Sequence, residues 1–431
     1  MSVIHIQGMQ SLNGTILIQG SKNAVLPVMA ASLLHRGVTV LTNVPGIQDV
    51  FCMMGILESM GCCCRLDGRC LTIDASRADR PRVPEGLAGQ MRSSVMLLGP
   101  MLGRFGEGAT SHPGGCLIGS RPIDLHLSGL EALGAKVELA GGTVRVEAGP
   151  GGLTGREIAL GYPSVGATEN IVMAAAAARG TTVLIGAARE PEIETLCRFL
   201  QAAGAEIRGI GTGCLRITGC ARFRDTVFAI PGDRIVAGTY LGAVMAAGGS
   251  VFLKGAPAGH MEANLRLARE MGAGIRIRED GGGIDASMDG RAKAASFSTG
   301  PYPGFPTDLQ SVMMAVAAAG VGRSRIQETV FENRFSTAKE LQNLGAHIII
   351  DGRTALVDGR SPLRGGKVRA ADLRGGAALV VAGLAAAGEV EVSGCGHIRR
   401  GYEDICRDLK EAGARIWMEE GAACEGRGGE S

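Results

Sequence analysis

One of the chain's twelve cysteines sits among residues that could make its thiol reactive. Ser111-His112-Pro113-Gly114-Gly115-Cys116 runs on into Leu117-Ile118-Gly119-Ser120-Arg121. Glycines free the backbone to move or to approach a ligand closely, and an arginine five residues on favours the thiolate. Taken alone, Cys116 is either a chemically active thiol or a small buried hydrophobe, which most free cysteines are. Gly20-Ser21-Lys22-Asn23-Ala24 puts an ammonium where an apolar helix begins, so Lys22 and the helix N–H groups could bind an anion. The alternative is a capped helix with a solvated lysine, and the Gly-x-x-x-x-Gly-Lys spacing of a phosphate loop is absent. Asp308 follows Tyr302-Pro303-Gly304-Phe305-Pro306-Thr307 and opens another apolar helix. It is either an N-cap or a carboxylate placed as general base. Arg334, Arg374 and Arg400 lie between buried-type segments, where a shared anionic ligand held by bidentate hydrogen bonds explains them better than solvation does.

Other signals weaken on inspection. Cys62-Cys63-Cys64 has no partner pair at zinc spacing. Gly209-Ile210-Gly211-Thr212-Gly213 sits between strands and reads as a hairpin turn, not a dinucleotide fingerprint. His112 and His347 lack metal-ligand spacing, and no Ser-His-Asp order can be defended.

The elements that must position these groups repeat six times. LESMGCCC, LEALGAKV, LQAAGAEI, AREMGAGI, LQNLGAHI and LKEAGARI each read as a helix end, a glycine and an apolar strand. Their glycines are Gly61, Gly134, Gly204, Gly272, Gly345 and Gly413, spaced by 73, 70, 68, 73 and 68 residues. That period exceeds the 20 to 50 residues of ordinary solenoids. A Gly-containing turn and a second strand often follow, as at Gly141-Gly142. Each unit also carries a helix that is apolar nearly all round, five examples being 24–34, 170–178, 240–247, 311–319 and 377–387, and such a helix must be buried on every side. The segment 193–202 is amphipathic and can border solvent. The unit therefore reads βαβαββ with one helix inside. Six units split three and three near Pro231-Gly232-Asp233, and the first strand, to about Gly20, is expected to pair with the C-terminal half. The expected domains are 22–231, carrying the Cys116 loop, and 1–21 with 232–431, facing each other across a cleft that could be sealed from water. Residues 421–431 are expected to fray.

The 431 residues, 45% apolar and 20% charged, describe a globular chain of two ordinary domains. A net charge of +2 gives no global field for nucleic acid or anionic lipid. No signal peptide is visible, no apolar run approaches the roughly 20 residues of a membrane span, and the cysteines suit a reducing cytoplasm. Sixty-eight glycines and 3% aromatics favour turns and close-packed helices over aromatic platforms.

Together these islands resemble the UDP-N-acetylglucosamine enolpyruvyl transferase family, over about residues 4–416. The likeness rests on GSKNAVLP at Gly20, PGGCLIGSRPIDLH at Pro113, SVGATEN at Ser164, AREPEIETL at Ala188, FPTDLQ at Phe305, ETVFENRF at Glu328, DLR at Asp372 and HIRRGYE at His397. The resemblance implies two inside-out α/β domains, each of three βαβαββ repeats. It implies transfer of the enolpyruvyl group of phosphoenolpyruvate to the sugar 3-hydroxyl with release of phosphate, a committed step of peptidoglycan precursor synthesis in the cytoplasm. Lys22, Arg121 and Arg400 then match residues that hold the phosphate, and Arg334 and Arg374 those around the carboxylate. Asn23 matches a contact shared by both substrates. Arg92, Arg121, Pro122, Ile123, Asp124, Leu125, Tyr162, Pro163, Ser164, Val165, Asp308 and Val330 match contacts to the sugar nucleotide. Cys116 matches the loop cysteine that acts as acid and forms an adduct with phosphoenolpyruvate, and Asp308 stands as the base. Catalytic roles thus fall on Cys116, Asp308 and Lys22. The Lys/Arg cluster balances the substrate charge, so no cofactor or metal is implied, and the partners are the two small molecules alone, without nucleic acid or membrane.

Three departures lie beside the matched positions. Arg399 stands where an acidic residue is common, Met96 where some members carry an aromatic ring, and Gly375-Gly376 follow Arg374. The closest rival is the sister enzyme acting on shikimate phosphate, which lacks the Pro-Gly-Gly-Cys loop and normally has Ser after the lysine. A non-catalytic sugar-nucleotide binder is a second rival, and retention of Cys116, Asp308, Lys22 and the arginines speaks against it.

Overall fold

All six repeat glycines adopt positive φ, from +86° at Gly345 to +117° at Gly204. Each follows a helix by two residues, as after Gln48–Ser59 or Pro191–Ala202, and turns the chain into the next strand. A side chain would be strained in that conformation, which explains glycine at all six places. The computed structural model describes residues 2–89, 91–111, 122–360 and 362–420, with the side chain of Arg92 excepted.

The described strands form six sheets, and five share one order. In the sheet of Glu157–Ala159, Thr181–Ile185, Glu206–Arg208 and Cys214–Thr218, the first two strands pair in parallel. The apolar helix Val165–Ala177 connects them. The last strand, Cys214–Thr218, lies antiparallel between the second and the third. Gly209 and Gly211 lie in the turn between the last two strands, so the glycine-rich stretch is the expected hairpin. The repeat containing Glu107–Ser111 has a three-stranded sheet, with a parallel bridge from Arg82 to Ala109 at its edge.

The chain divides into two compact units. One comprises Gln19–Asp233 with Pro301–Gly304, and the other Met1–Ile18, Arg234–Gly300 and Phe305–Ser431. Each has its own apolar core. The N-terminal stretch is two strands rather than the single one expected. Val3–Gln7 lies between Ala387–Ser393 and Arg415–Glu419, whereas Leu12–Leu17 runs parallel to Gly249–Lys254. Met9, at φ +59°, breaks the extended run.

The apolar helices are buried as their composition requires. Arg234–Ala247, Gln310–Ala319 and Leu373–Ala385 pack against one another in the second unit. A Cβ on Gly242 would stand 2.6 Å from Val312 Cγ1, so glycine sets how closely two of these helices approach. Several begin earlier than the apolar run suggests. Val165–Ala177 starts at its Ser164 cap, and Leu373–Ala385 at Asp372. The side-chain oxygens there satisfy N–H groups that the helix leaves open. No described helix is long and apolar enough to cross a membrane.

Candidate active site

Lys22 is the first residue of the helix Lys22–Ser32, whose Ser21 cap accepts from Ala24 N. The lysine is not the solvated one of the simpler reading. Its Nζ lies 2.8 Å from Asp49 Oδ2, with side-chain exposures of 12% and 5%. The Lys22 backbone N–H donates to Asp233 Oδ2 at 3.0 Å. Ser21 N donates to Pro231 O and Asp233 N to Gln19 O, so Pro231-Gly232-Asp233 is laced against the helix start. Asn23 follows, half-buried. Sequence reasoning missed Asp49. Its signal was an acidic residue in the first turn of Gln48–Ser59, where a solvated charge is the ordinary expectation.

The same unit carries the positions matched to the sugar nucleotide other than Asp308 and Val330. Arg92 opens the short helix Arg92–Leu97. Pro122 is exposed and Ile123 is part of the core, while Asp124 is exposed at the start of Asp124–Ala132 and Leu125 packs partly inward. Tyr162 is exposed, and Pro163, Ser164 and Val165 are half-buried at the start of Val165–Ala177. Cys116 and Arg121 lie outside the described residues, as does His112. In SVGATEN, Glu169 is buried, and burial, with the Glu192 and Glu190 carboxylates nearby, pushes its carboxyl well above the usual range. Asn170 is also buried and ties two segments together, donating to Val95 O at 2.9 Å and accepting from Gly99 N at 2.6 Å. Glu190 Oε1 accepts from Tyr302 N at 3.2 Å, which holds Pro301–Gly304 to this unit.

In the second unit three predicted residues meet. Arg334 Nη2 lies 3.1 Å from Asp308 Oδ1, and Arg374 Nη2 lies 2.8 Å from Asp308 Oδ2. Both guanidinium groups are nearly inaccessible, with side chains 3% and 6% exposed. Asp308 is not a helix cap: it lies in the turn Thr307–Leu309, and the following helix Gln310–Ala319 has no side-chain cap. One carboxylate therefore occupies two buried guanidinium groups, an arrangement suited to exchange with another carboxylate. Arg374 is placed by Asp372, which caps its helix through Arg374 N and Gly375 N. Arg400 ends the short helix Cys395–Arg400, half-buried. Arg399 points elsewhere, to Glu420 Oε1 at 3.0 Å. Val330 is half-buried, and its N–H donates to Glu328 Oε1 at 2.8 Å. Glu328 begins ETVFENRF, but no role was read for it from sequence, because a glutamate after a strand is ordinarily solvated. Met96 is buried in the first unit's core.

Residues 6–422 match the family model of EPSP synthase (3-phosphoshikimate 1-carboxyvinyltransferase). The UDP-N-acetylglucosamine 1-carboxyvinyltransferase of Saccharophagus degradans is 44% identical over 418 residues, covering 96% of this chain and 99% of that protein. Its namesake in Sphingopyxis alaskensis is 45% identical over 423 residues, with the same coverage. Among solved structures, the enolpyruvyl transferase NikO from Streptomyces tendae superposes with a TM-score of 0.87 at 26% identity, over 97% of this chain and 98% of that one. EPSP synthase from Acinetobacter baumannii gives 0.74 at 19% identity, over 97% and 100%, which is a likeness of fold.

Proposed function

Since the chain belongs to the UDP-N-acetylglucosamine 1-carboxyvinyltransferase family, within the wider EPSP synthase family, we propose that it moves the enolpyruvyl group of phosphoenolpyruvate onto the 3-hydroxyl of UDP-N-acetylglucosamine. Phosphate is released, and the product feeds peptidoglycan precursor synthesis in the cytoplasm. The observation that carries this reading is the convergence of Arg334 and Arg374 on the Asp308 carboxylate. Two buried guanidinium groups that already hold one carboxylate are fit to hold that of phosphoenolpyruvate.

In this reading Lys22, Arg121 and Arg400 take the phosphate, and Arg334 and Arg374 the carboxylate. Asn23 contacts both substrates, and Arg92, Arg121, Pro122, Ile123, Asp124, Leu125, Tyr162, Pro163, Ser164, Val165, Asp308 and Val330 contact the sugar nucleotide. Substrate carboxylate draws the guanidinium groups away from Asp308, which then accepts the proton of the sugar 3-hydroxyl as its oxygen attacks C2 of the enol. Cys116 gives a proton to C3, so C3 becomes a methyl group and C2 a tetrahedral ketal. The methyl group then returns a proton to the Cys116 thiolate, the C2–O bond to phosphate breaks, the departing phosphate takes up the proton that Asp308 gained, and the vinyl ether remains. General acid and base catalysis contribute about 10²- to 10⁴-fold each, and the cationic side chains offset charge on the leaving phosphate.

The test is phosphate release from phosphoenolpyruvate with either UDP-N-acetylglucosamine or shikimate 3-phosphate, with Cys116→Ser as control. Turnover with the sugar nucleotide alone, lost in the control, is expected. Turnover with shikimate 3-phosphate alone would overturn the assignment in favour of the sister activity, and binding of the sugar nucleotide without turnover would favour a binding protein.

A further inference from the structure

Glu328 is 1% exposed, and four neutral donors converge on its carboxylate. Oε1 accepts from Val330 N at 2.8 Å, Thr299 Oγ1 at 2.9 Å and Phe331 N at 3.1 Å. Oε2 accepts from Thr307 Oγ1 at 3.0 Å. A carboxylate offers about four lone-pair sites, so this one is fully used. One buried side chain that satisfies four donors ties the segments carrying them to a single point.

Each arm of the carboxylate ends next to a residue of the proposed chemistry. Thr307 precedes Asp308, and the Thr307 carbonyl accepts from Arg334 Nε at 3.3 Å. Val330 and Phe331 open the turn that leads to Arg334, whose guanidinium lies 5.9 Å from the Phe331 ring centre. Arg334 then closes the circuit on Asp308 Oδ1 at 3.1 Å. Thr299 braces the circuit from the side, since its Oγ1 accepts from Thr329 N and its carbonyl from Thr329 Oγ1. The chain segments carrying base and carboxylate-binding arginine are thus tied to one buried anion.

We infer that Glu328 is a positioning residue that fixes Asp308, through Thr307, relative to Arg334, through the 330–331 turn. The inference rests on the enolpyruvyl transfer proposed above. It concerns geometry, because Glu328 reaches neither guanidinium directly. Small displacements of reacting groups are expensive: about 1 Å can cost on the order of 100-fold in rate.

Phosphate release from phosphoenolpyruvate and UDP-N-acetylglucosamine, normalised to folded enzyme, tests it alongside melting temperature. Thr307→Val removes one hydroxyl at constant shape, and kcat is expected to fall at least about ten-fold. Glu328→Ala should lower kcat about 100-fold, and the Thr307→Val/Glu328→Ala double variant should be no slower than Glu328→Ala, since the Thr307 hydroxyl acts only through its bond to Glu328. Glu328→Gln should recover most of kcat, because its oxygen can keep three donors while its amide donates to Thr307 Oγ1. If Glu328→Ala does not fold, Thr307→Val and Glu328→Gln carry the test. Variants that melt earlier but keep kcat within about two-fold, multiplying effects in the double variant, or a Glu328→Gln as slow as Glu328→Ala would each overturn the positioning role. A parent enzyme that releases no phosphate would overturn the proposed function and this role with it. An active parent with silent variants overturns this role alone.

Discussion

Replacing Asp308 by alanine removes the anion shared by two guanidinium groups that water scarcely reaches. The contacts are 3.1 and 2.8 Å, and Asp308 itself is 28% exposed in its side chain. Removing one partner of a buried pair costs about 3–5 kcal/mol, and the partial exposure of Asp308 argues for the lower end, about 3 kcal/mol. For a unit of this size each kcal/mol moves the melting temperature by about 2–4 °C, so Asp308→Ala should melt about 6–12 °C lower. The same change leaves a site ready for an external carboxylate. A dicarboxylate such as malonate at about 100 times its dissociation constant should return about 2.7 kcal/mol, nearly the whole loss. The parent should gain less, because malonate must displace Asp308. Scanning calorimetry of both proteins in malonate and in chloride at matched ionic strength separates site binding from screening. A variant melting within about 2 °C of the parent, or equal shifts in malonate and chloride, would refute the reasoning.

Asp49→Asn should weaken the hold on Lys22, and a double-mutant cycle with Lys22→Met in urea should give a coupling of about 1–3 kcal/mol; additivity within about 0.5 kcal/mol would show that the 2.8 Å contact contributes nothing. Burial pushes the thiols of Cys62, Cys197 and Cys406 up to about 12. At pH 8 only about one in 10⁴ of each is thiolate, so iodoacetamide should label Cys116 well before these three, as peptide mass analysis would report. The hydrogen bond from His35, then that from Val38 N, holds the Asp225 carboxyl below its usual range. A depressed folded value gives stability that is present above the ordinary carboxylate range and lost as pH falls through the lowered value. Melting curves of the parent and Asp225→Asn should therefore differ at pH 7 and converge toward pH 3, whereas a constant gap would count against the bond.

The repeat was legible because its signals are local. A glycine two residues past each helix must take positive φ, and an all-apolar helix has nowhere to go but inside. Hairpins at Gly141-Gly142 and at Gly209 to Gly213 followed from turn chemistry. Apolar periodicity places helix starts about one turn late where the first turn mixes polar residues and glycine, since Ser164 and Asp372 act as caps through side-chain oxygens that periodicity does not register. The N-terminal segment reads as one strand in sequence because a single methionine at positive φ leaves no compositional trace.

By itself, then, the sequence determined the repeat, the buried helices, the fold family and the list of charged residues available for an anionic substrate. Tertiary structure alone decided which charges meet. Asp308 could be a helix cap or a partner to arginine, and the choice depends on Arg334 and Arg374, 26 and 66 residues away. Lys22 could be solvated or paired, and the choice depends on Asp49 entering the next helix. Glu328 looked like any glutamate after a strand until folding brought Thr299, Thr307 and the 330–331 backbone to its two oxygens. Backbone preference acts between neighbours in the chain, whereas a hydrogen bond or ion pair acts over about 3 Å of space. Only the packed fold specifies which residues lie that close.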